Sequence, residues 1–310
     1  MAWRASSTNS AVKGQIFLDP QNPIIEECLR PRLFDGLRRP CELQLSDFDD
    51  INYKVVVKRE APGILYLSIY SKSWEYIRVN GGEEMLHSYY PGMTQIQPES
   101  GFSFTLAVNL DEPPYQVEQF FKRVIELKRN MIGAPFAKAL GHLQNGSAGS
   151  LSMMRVPWRS SEDVFILPQV DRVTVIFGID FVEADERALC KVFLMEFADA
   201  QRSANNAPPT NFSLDPPMEL QNLRVRGNPI GYLSFIMFPQ HVKGEMLERS
   251  VSLLAGFRNY LHYHIKSTKT YMHMRMRKRA TGLLQVLNRA VPEVEDKAKK
   301  TAQGKTFVRS

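Results

Sequence analysis

The sequence predicts an α+β fold: two tandem α/β domains, each an antiparallel sheet with helices on one face, followed by a long C-terminal helix. Three observations support this prediction. Short apolar runs in both halves, such as 64–70 and 172–181, are rich in β-branched and aromatic residues and predict strands. Between them, 115–132 and 184–202 place apolar residues at helical spacing. Residues 242–290 keep helical spacing with no proline.

The elements follow in the same order in each half: strand, shorter helix, proline-punctuated loop, strand, longer helix. In the first half, alternation or an apolar run predicts strands, and a proline at 135 is expected to kink the second helix. The predicted elements are a strand or helical turn at 15–19 and 24–29, strands at 42–46, 53–58, 64–70 and 102–110, and helices near 82–89 and 115–132. In the second half they are strands at 164–167, 172–181 and 230–238 and a helix at 184–202.

Composition shifts predict the domain boundaries. Small polar residues open the chain, a Gly/Ser/Asn-rich stretch interrupts it near its middle, and lysines accumulate at its end. The predicted division is a disordered lead-in (1–14), a first α/β domain (15–143), a linker (144–150), a second α/β domain (151–241), the long helix (242–291) and a basic tail (292–310).

Composition limits the class of protein. At 310 residues, with 44% hydrophobic and 23% charged residues, the chain is typical of a soluble globular protein of one large or two ordinary domains. No apolar run reaches the ~20 residues that span a bilayer, so membrane insertion is not expected, and the N-terminus lacks the apolar segment of a secretory signal. The three cysteines, Cys28, Cys41 and Cys190, form no CxxC pair and favour free thiols.

The net charge of +6 is concentrated at the C-terminus. Residues 242–310 carry 15 Lys and Arg against 5 Asp and Glu, a local charge of +10, which leaves −4 for residues 1–241. Such a distribution favours a local acidic partner surface over general adhesion to anions.

The long helix carries an apolar stripe and an uncompensated positive face. The stripe consists of residues at steps of three and four: Leu247, Val251, Leu254, Phe257, Leu261, Ile265, Thr268 and Met272. Between Arg249 and Ala290 there are nine basic residues and no acidic one. At ~1.5 Å per residue the helix would be about 70 Å long, more than one domain covers. An apolar neighbour and an acidic neighbour are therefore expected.

Histidines and glycines mark positions along this helix. His262 falls on a polar flank with Lys266, Lys269, His273 and Arg277, and this flank is either a binding surface, which is favoured, or the solvated side of the helix. His264 lies at the edge of the stripe and is expected to be packed. Gly256 and Gly282 are either tolerated or mark the close approach of another helix and a break, respectively.

Signatures of catalysis and nucleotide binding are missing from the sequence. There is no GxxxxGK[ST], GxGxxG, GxSxG or HExxH motif, and we predict no cofactor, no metal site and no enzymatic activity. Asp47, Asp49 and Asp50 crowd after a strand as metal ligands do, but a solvated turn is the favoured interpretation.

Several segments resemble the family of subunit 2 of the actin-related protein 2/3 complex, the branched-actin nucleator. The resemblance runs from about residue 24 to residue 307 and is densest after residue 171. Its segments include Pro98-Glu-Ser-Gly-Phe102, Asp171-Arg-Val-Thr-Val-Ile-Phe177, Lys191-Val-Phe-Leu-Met-Glu-Phe197, Gly231-Tyr-Leu-Ser-Phe-Ile-Met-Phe-Pro239, Phe257-Arg-Asn-Tyr-Leu-His-Tyr-His-Ile-Lys266, Tyr271-Met-His-Met-Arg-Met-Arg277, Leu287-Asn-Arg-Ala290 and Gly304-Lys-Thr-Phe307.

The resemblance implies a cytoplasmic scaffold protein of the actin cytoskeleton. Its long helix would pair with subunit 4, and the two subunits together would hold the two actin-related subunits and the remaining subunits and contact the side of the mother actin filament. We expect the filament contact at Lys266, Lys269, Arg275, Arg277, Lys278 and Arg279. We expect the subunit interface at Leu254, Phe257, Leu261, Ile265 and Met272.

A nucleic-acid-binding protein is the alternative function for a basic helix. Tyr260, Tyr263 and Tyr271 could stack on bases, but no helix-turn-helix or RNP-like pattern accompanies them. No nucleic-acid partner is therefore predicted, and an enzyme ranks last.

Overall fold

The computed structural model describes residues 20–47, 49–95, 97–113, 116–202 and 207–290. Within them the chain folds as two antiparallel sheets with seven α-helices, so the predicted α+β class with a long C-terminal helix is confirmed. None of the described helices is both long and apolar enough to span a bilayer.

The first sheet is a four-stranded meander. Its strands are β1 (Cys41–Asp47), β2 (Ile51–Val57), β3 (Ile64–Tyr70) and β4 (Phe104–Asn109), in the order β1-β2-β3-β4. In β2 every second residue is buried, because successive side chains point to opposite faces of the sheet. Val55 lies opposite Leu43 on one side and Leu67 on the other.

The second sheet has five strands. They are β5 (Met154–Pro157), β6 (Asp163–Pro168), β7 (Val173–Ile179), β8 (Thr210–Ser213) and β9 (Gly231–Met237), in the order β5-β6-β7-β9-β8. All seven residues of β7 are buried, as expected for a strand in the middle of a sheet with both faces covered. β5 and β8 were missed by the sequence analysis, since four-residue edge strands are too short to show a period.

Seven α-helices accompany the sheets. They are α1 (Pro23–Phe34), α2 (Trp74–Ile77), α3 (Glu83–Tyr89), α4 (Val117–Ile125), α5 (Leu127–Gln144), α6 (Ala184–Arg202) and α7 (Met246–Ala290). α1 begins where the Asn22 side chain accepts hydrogen bonds from the backbone N–H groups of Ile24 and Ile25.

The predicted helix at 115–132 is wrong in one respect. The chain leaves helical geometry at Glu126 (φ −93°, ψ 15°), so α4 and α5 are separate helices. Pro135, the expected kink, lies inside α5, which continues to Gln144. Glu126 carries no proline or glycine signal, and the break could not be read from residue type.

Both sheets belong to one compact unit whose last residue is Ile265, and the described residues after it, 266–290, belong to a second unit. The stretch predicted as a linker, 144–150, contains the end of α5 and a 3₁₀ turn (Ala148–Ser150) whose Ala148 is fully buried. The predicted boundaries at 143 and 151 stay a prediction. The lead-in (1–14) and the basic tail (292–310) lie outside the described residues.

Candidate functional site

α7 follows directly from the last core strand. After β9, the 3₁₀ turn Pro239–Val242 and Gly244, which has a positive φ of 54°, redirect the chain into α7. α7 then runs without interruption from Met246 to Ala290, in agreement with the proline-free helical pattern. It divides into two stretches with different surroundings, which we call the covered stretch (246–265) and the exposed stretch (266–289).

The covered stretch supplies the core of the first unit. Val251, Leu254, Phe257, Leu261 and Ile265 are each 4% exposed or less. The ring of Phe257 lies 5.0 Å from that of Phe235 and 5.1 Å from that of Phe177. Side chains already buried in the chain cannot also form the surface that a partner covers.

The predicted subunit interface is therefore corrected at four of its five positions. Leu254, Phe257, Leu261 and Ile265 are buried in the core of the chain that carries them, where rings of the second sheet and of α6 contact Phe257. Met272, the fifth position, is 37% exposed and remains available.

The positive face of the covered stretch is compensated at Arg258. Its side chain is 3% exposed and donates to both carboxylate oxygens of Glu162, at 2.9 and 2.7 Å from Nε. Its Nη2 donates to the carbonyl of Asp180, and its guanidinium lies 4.5 Å from the ring centre of Phe181. The acidic partner expected for the helix is thus, at this position, a residue of the same chain.

The two central histidines stack on aromatic rings, each on a different one. His264 lies 5.8 Å from Phe193 in stacked geometry, and burial lowers the pKa of its imidazole, so the neutral ring is favoured. His262 stacks on Phe181 at 5.8 Å. The packed environment predicted for His264 is confirmed.

The glycines of α7 do not mark close packing. A Cβ added at Gly256 or at Gly282 would meet no atom within 4 Å, and α7 passes through both positions. The close approach lies instead at Gly133 of α5, where a Cβ would come within 2.8 Å of the Val251 side chain. Of the two interpretations left open for Gly256 and Gly282, the described residues therefore favour the tolerated one.

A cleft of about 1360 Å³ opens beside the first turns of α7. Its charged lining is tied into ion pairs: the Arg129 guanidinium donates to the Glu248 carboxylate at 2.7 Å and to the Ser252 hydroxyl, and the Lys128 ammonium lies 3.2 Å from Asp47. This arrangement fastens α5 to α7 and to the end of β1.

The aspartate cluster is a turn. Asp49 and Asp50 both have positive φ, 66° and 57°, as polar turn residues tolerate. Asp49 is paired with the Arg159 guanidinium, and Asp47 with Lys128. The described residues contain no group of three or more potential ligands that could hold a metal ion.

In the exposed stretch, the apolar stripe continues without cover. Met272, Met276, Leu283 and Leu287 are 37–61% exposed and follow Ile265 at steps of seven, four, seven and four. At 3.6 residues per turn these steps keep them on one face of the helix. The stripe predicted from the sequence ends at Met272 and does not include Met276, Leu283 or Leu287, and a break at Gly282 was one of two interpretations left open there.

The predicted filament cations all lie in the exposed stretch. Arg275, Arg277, Lys278 and Arg279 are exposed, as is Lys266, and Lys269 is half-buried. Arg275 donates to the Tyr271 hydroxyl at 3.0 Å. Among the described residues, Arg277, Lys278 and Arg279 have no carboxylate within ion-pair distance. A strip of accessible positive charge therefore lies beside the apolar stripe.

Comparison with known proteins identifies the family. The family model described as "Arp2/3 complex, 34 kD subunit p34-Arc" matches residues 67–294, most of the chain. The chain belongs to the p34-Arc family. The resemblance noted from the sequence is thereby confirmed, and it covers the second sheet and α7 completely.

Two curated members of the p34-Arc family extend the match. The chain is 36% identical over 278 residues to the actin-related protein 2/3 complex subunit 2 of Dictyostelium discoideum, covering 88% of this chain and 93% of that protein. It is 33% identical over 317 residues to the subunit 2 of Schizosaccharomyces pombe, covering 94% of this chain and 99% of that protein. The similarity therefore extends over nearly the full length of both relatives.

Proposed function

We propose that this chain is a non-catalytic scaffold subunit of an actin-related protein 2/3 complex, where it pairs with subunit 4, holds the two actin-related subunits and contacts the side of the mother filament. Family membership supports its place in the complex and, with it, a cytoplasmic location at the actin cytoskeleton. The uncovered apolar stripe of the exposed stretch is the observation that supports the pairing with subunit 4.

The stripe has the dimensions of a helix-pairing surface. Residues 266–290 extend about 37 Å at ~1.5 Å per residue. Met272, Met276, Leu283 and Leu287 present four apolar side chains along one face of this length. Burying each side chain contributes ~1.5–3 kcal/mol. A second helix laid along this face would give them cover, which is the role we assign to subunit 4.

The neighbouring cations suit an acidic polymer surface. Arg277, Lys278 and Arg279 follow one another, so they point to different sides of the helix and cannot all lie in the apolar seam. Because these three have no acidic partner among the described residues, their charge is available to steer and hold an anionic surface. We assign them, with Lys266, Lys269 and Arg275, to the filament contact.

The seam is tested by a pair of methionine variants. Met276 and Met274 are 60% and 57% exposed but lie about 200° apart around the helix. In co-expression of the tagged full chain with the other subunits, M276D is expected to lose subunit 4, because a carboxylate in an apolar seam lacks a partner. M274D serves as the control and should retain subunit 4. Equal recovery of subunit 4 with both variants would exclude this face as the seam.

The filament contact is tested by charge reversal in the assembled complex. Changing Arg277, Lys278 and Arg279 to Glu should weaken co-sedimentation with actin filaments by about tenfold, roughly 1.4 kcal/mol, with assembly intact. A matched control reverses three exposed cations of the first unit, Lys58, Lys122 and Arg249. Pelleting that is unchanged in the first variant, or reduced equally in both, would remove the three residues from the contact.

A further inference from the structure

Cys28 and Cys41 bring their sulfur atoms together although thirteen positions separate them in sequence. Cys28 lies in the second turn of α1 and Cys41 is the first residue of β1, and their Sγ atoms are 3.9 Å apart. Both are free thiols. A disulfide needs an S–S distance of ~2.05 Å. Formation of the bond therefore requires the two sulfur atoms to approach each other by about 2 Å, with rotation about the two Cα–Cβ bonds.

A buried arginine holds this pair in place. Arg32 is 6% exposed, and its Nη1 lies 2.6 Å from the Cys28 carbonyl oxygen and 3.3 Å from the Cys28 sulfur. Its Nη2 donates to the carbonyl of Arg39, two residues before Cys41. One guanidinium therefore fixes the end of α1 against the start of β1, with its charge beside one of the two sulfur atoms.

The thiols differ in access to solvent. Cys41 is partly exposed, whereas Cys28 is 7% exposed and Cys190 is fully buried. Burial raises the pKa of the Cys28 thiol to about 11, although the Arg32 charge opposes this, and burial raises that of Cys190 to about 12. The thiol that meets an oxidant first is therefore Cys41, with Cys28 next to it as a second thiol and Cys190 out of reach.

We propose that Cys28 and Cys41 form a redox-modification site, at which a peroxide converts the two thiols into a disulfide that fastens α1 to the edge strand β1. The Cys41 thiolate attacks one oxygen of hydrogen peroxide, and the O–O bond breaks, giving a sulfenic acid and hydroxide, which takes up the proton that the thiol lost. The Cys28 sulfur then attacks the Cys41 sulfur, and a second water leaves with the Cys28 proton. Two thiols and one peroxide give one disulfide and two waters.

Peptide mapping of the oxidised full chain tests the site. The native chain is treated with hydrogen peroxide, remaining thiols are alkylated in denaturant, and trypsin releases residues 14–32 with Cys28 and residues 39–54 with Cys41. Trypsin also cuts after Arg32 and Arg38, so these peptides stay together only through a disulfide. We expect a linked pair of these two peptides that is lost on treatment with dithiothreitol, with Cys190 recovered as an alkylated thiol.

Two comparisons separate this site from indiscriminate oxidation. In C28S the linked pair should disappear and the Cys41 sulfenic acid should accumulate, trapped by dimedone, because its second thiol is missing. In urea, Cys190 should also be found in disulfides with the other cysteines, whereas in the native chain it should be recovered as a thiol. The proposal is overturned if the native chain gives Cys41 sulfinic or sulfonic acid and no linked pair. The proposal is also overturned if Cys190 forms a disulfide in the native chain as fast as Cys28 and Cys41 form theirs.

Discussion

The covered and exposed stretches of α7 have the same sequence pattern and opposite surroundings. Leu254, Leu261 and Ile265 are at most 1% exposed, whereas Met276 and Leu283, on the same face of the same helix, are 60% and 61% exposed. The covered stretch packs into the core of its own chain, where Phe257 contacts Phe177 and Phe235 of the second sheet. The comparison shows that an apolar period predicts a face to be buried, but does not say whether the same chain or another covers it.

Charge shows the same contrast. Arg258 in the covered stretch is held by the Glu162 carboxylate, while Arg277, Lys278 and Arg279 in the exposed stretch have no described carboxylate partner. The count of nine bases without an acid between Arg249 and Ala290 treated these positions as equivalent. A count of charges along the helix does not detect a carboxylate that comes from a distant part of the sequence.

The largest expected difference in stability between the two stretches comes from placing a carboxylate in each of them. L261D puts a charge at a fully buried position and should destabilise the fold by more than about 4 kcal/mol, which is a large part of a typical folding free energy. L284D changes a side chain that is 59% exposed and should leave the thermal unfolding midpoint of the chain within a degree or two. A stable, cooperatively unfolding L261D chain would show that the covered stretch is not part of the core.

The second prediction compares a buried ion pair with an exposed one. R258A leaves the Glu162 carboxylate buried without its partner and should cost ~3–4 kcal/mol. R249A removes an exposed i,i+4 pair with Glu245 and should cost ~0.3–0.5 kcal/mol at most. Urea unfolding of both variants measures the difference. Equal costs would mean that Glu162 finds another donor, such as Arg159, whose Nε lies 4.0 Å away.

The smallest expected effect is a pH dependence of the stability that arises from His264 in the covered stretch. Burial lowers the pKa of His264 in the folded chain, so the unfolded chain binds a proton first as pH falls below ~6.5. The stabilisation from neutral His264 is therefore fully present above that pH and declines below it. In H264Q this part of the decline should be missing, measured as the change in unfolding midpoint between pH 7.5 and 5.5. H273Q, at an exposed position of the same helix, serves as the matched control substitution, and an equal change in both variants would contradict the prediction.

Local pattern was sufficient for much of the fold. The bounds of β3 and α6 agree with those predicted, because each is a periodic run flanked by clear interruptions. The pattern was insufficient where partners are distant: the closeness of Cys28 and Cys41, the break at Glu126 and the burial of Leu254 to Ile265 all depend on which segments meet in space. Of the predicted site, the cations of the filament contact stay a proposal with the same residues. The subunit interface is now proposed at the apolar stripe of the exposed stretch.

The closure of the first unit by α7 has a consequence for biosynthesis. Phe257 packs against both Phe177 and Phe235, and Ile265 is the last core residue of that unit. The second sheet therefore receives its final apolar cover only after the covered stretch has been synthesised. Until then the face of β7 and β9 is exposed to solvent and to chaperones.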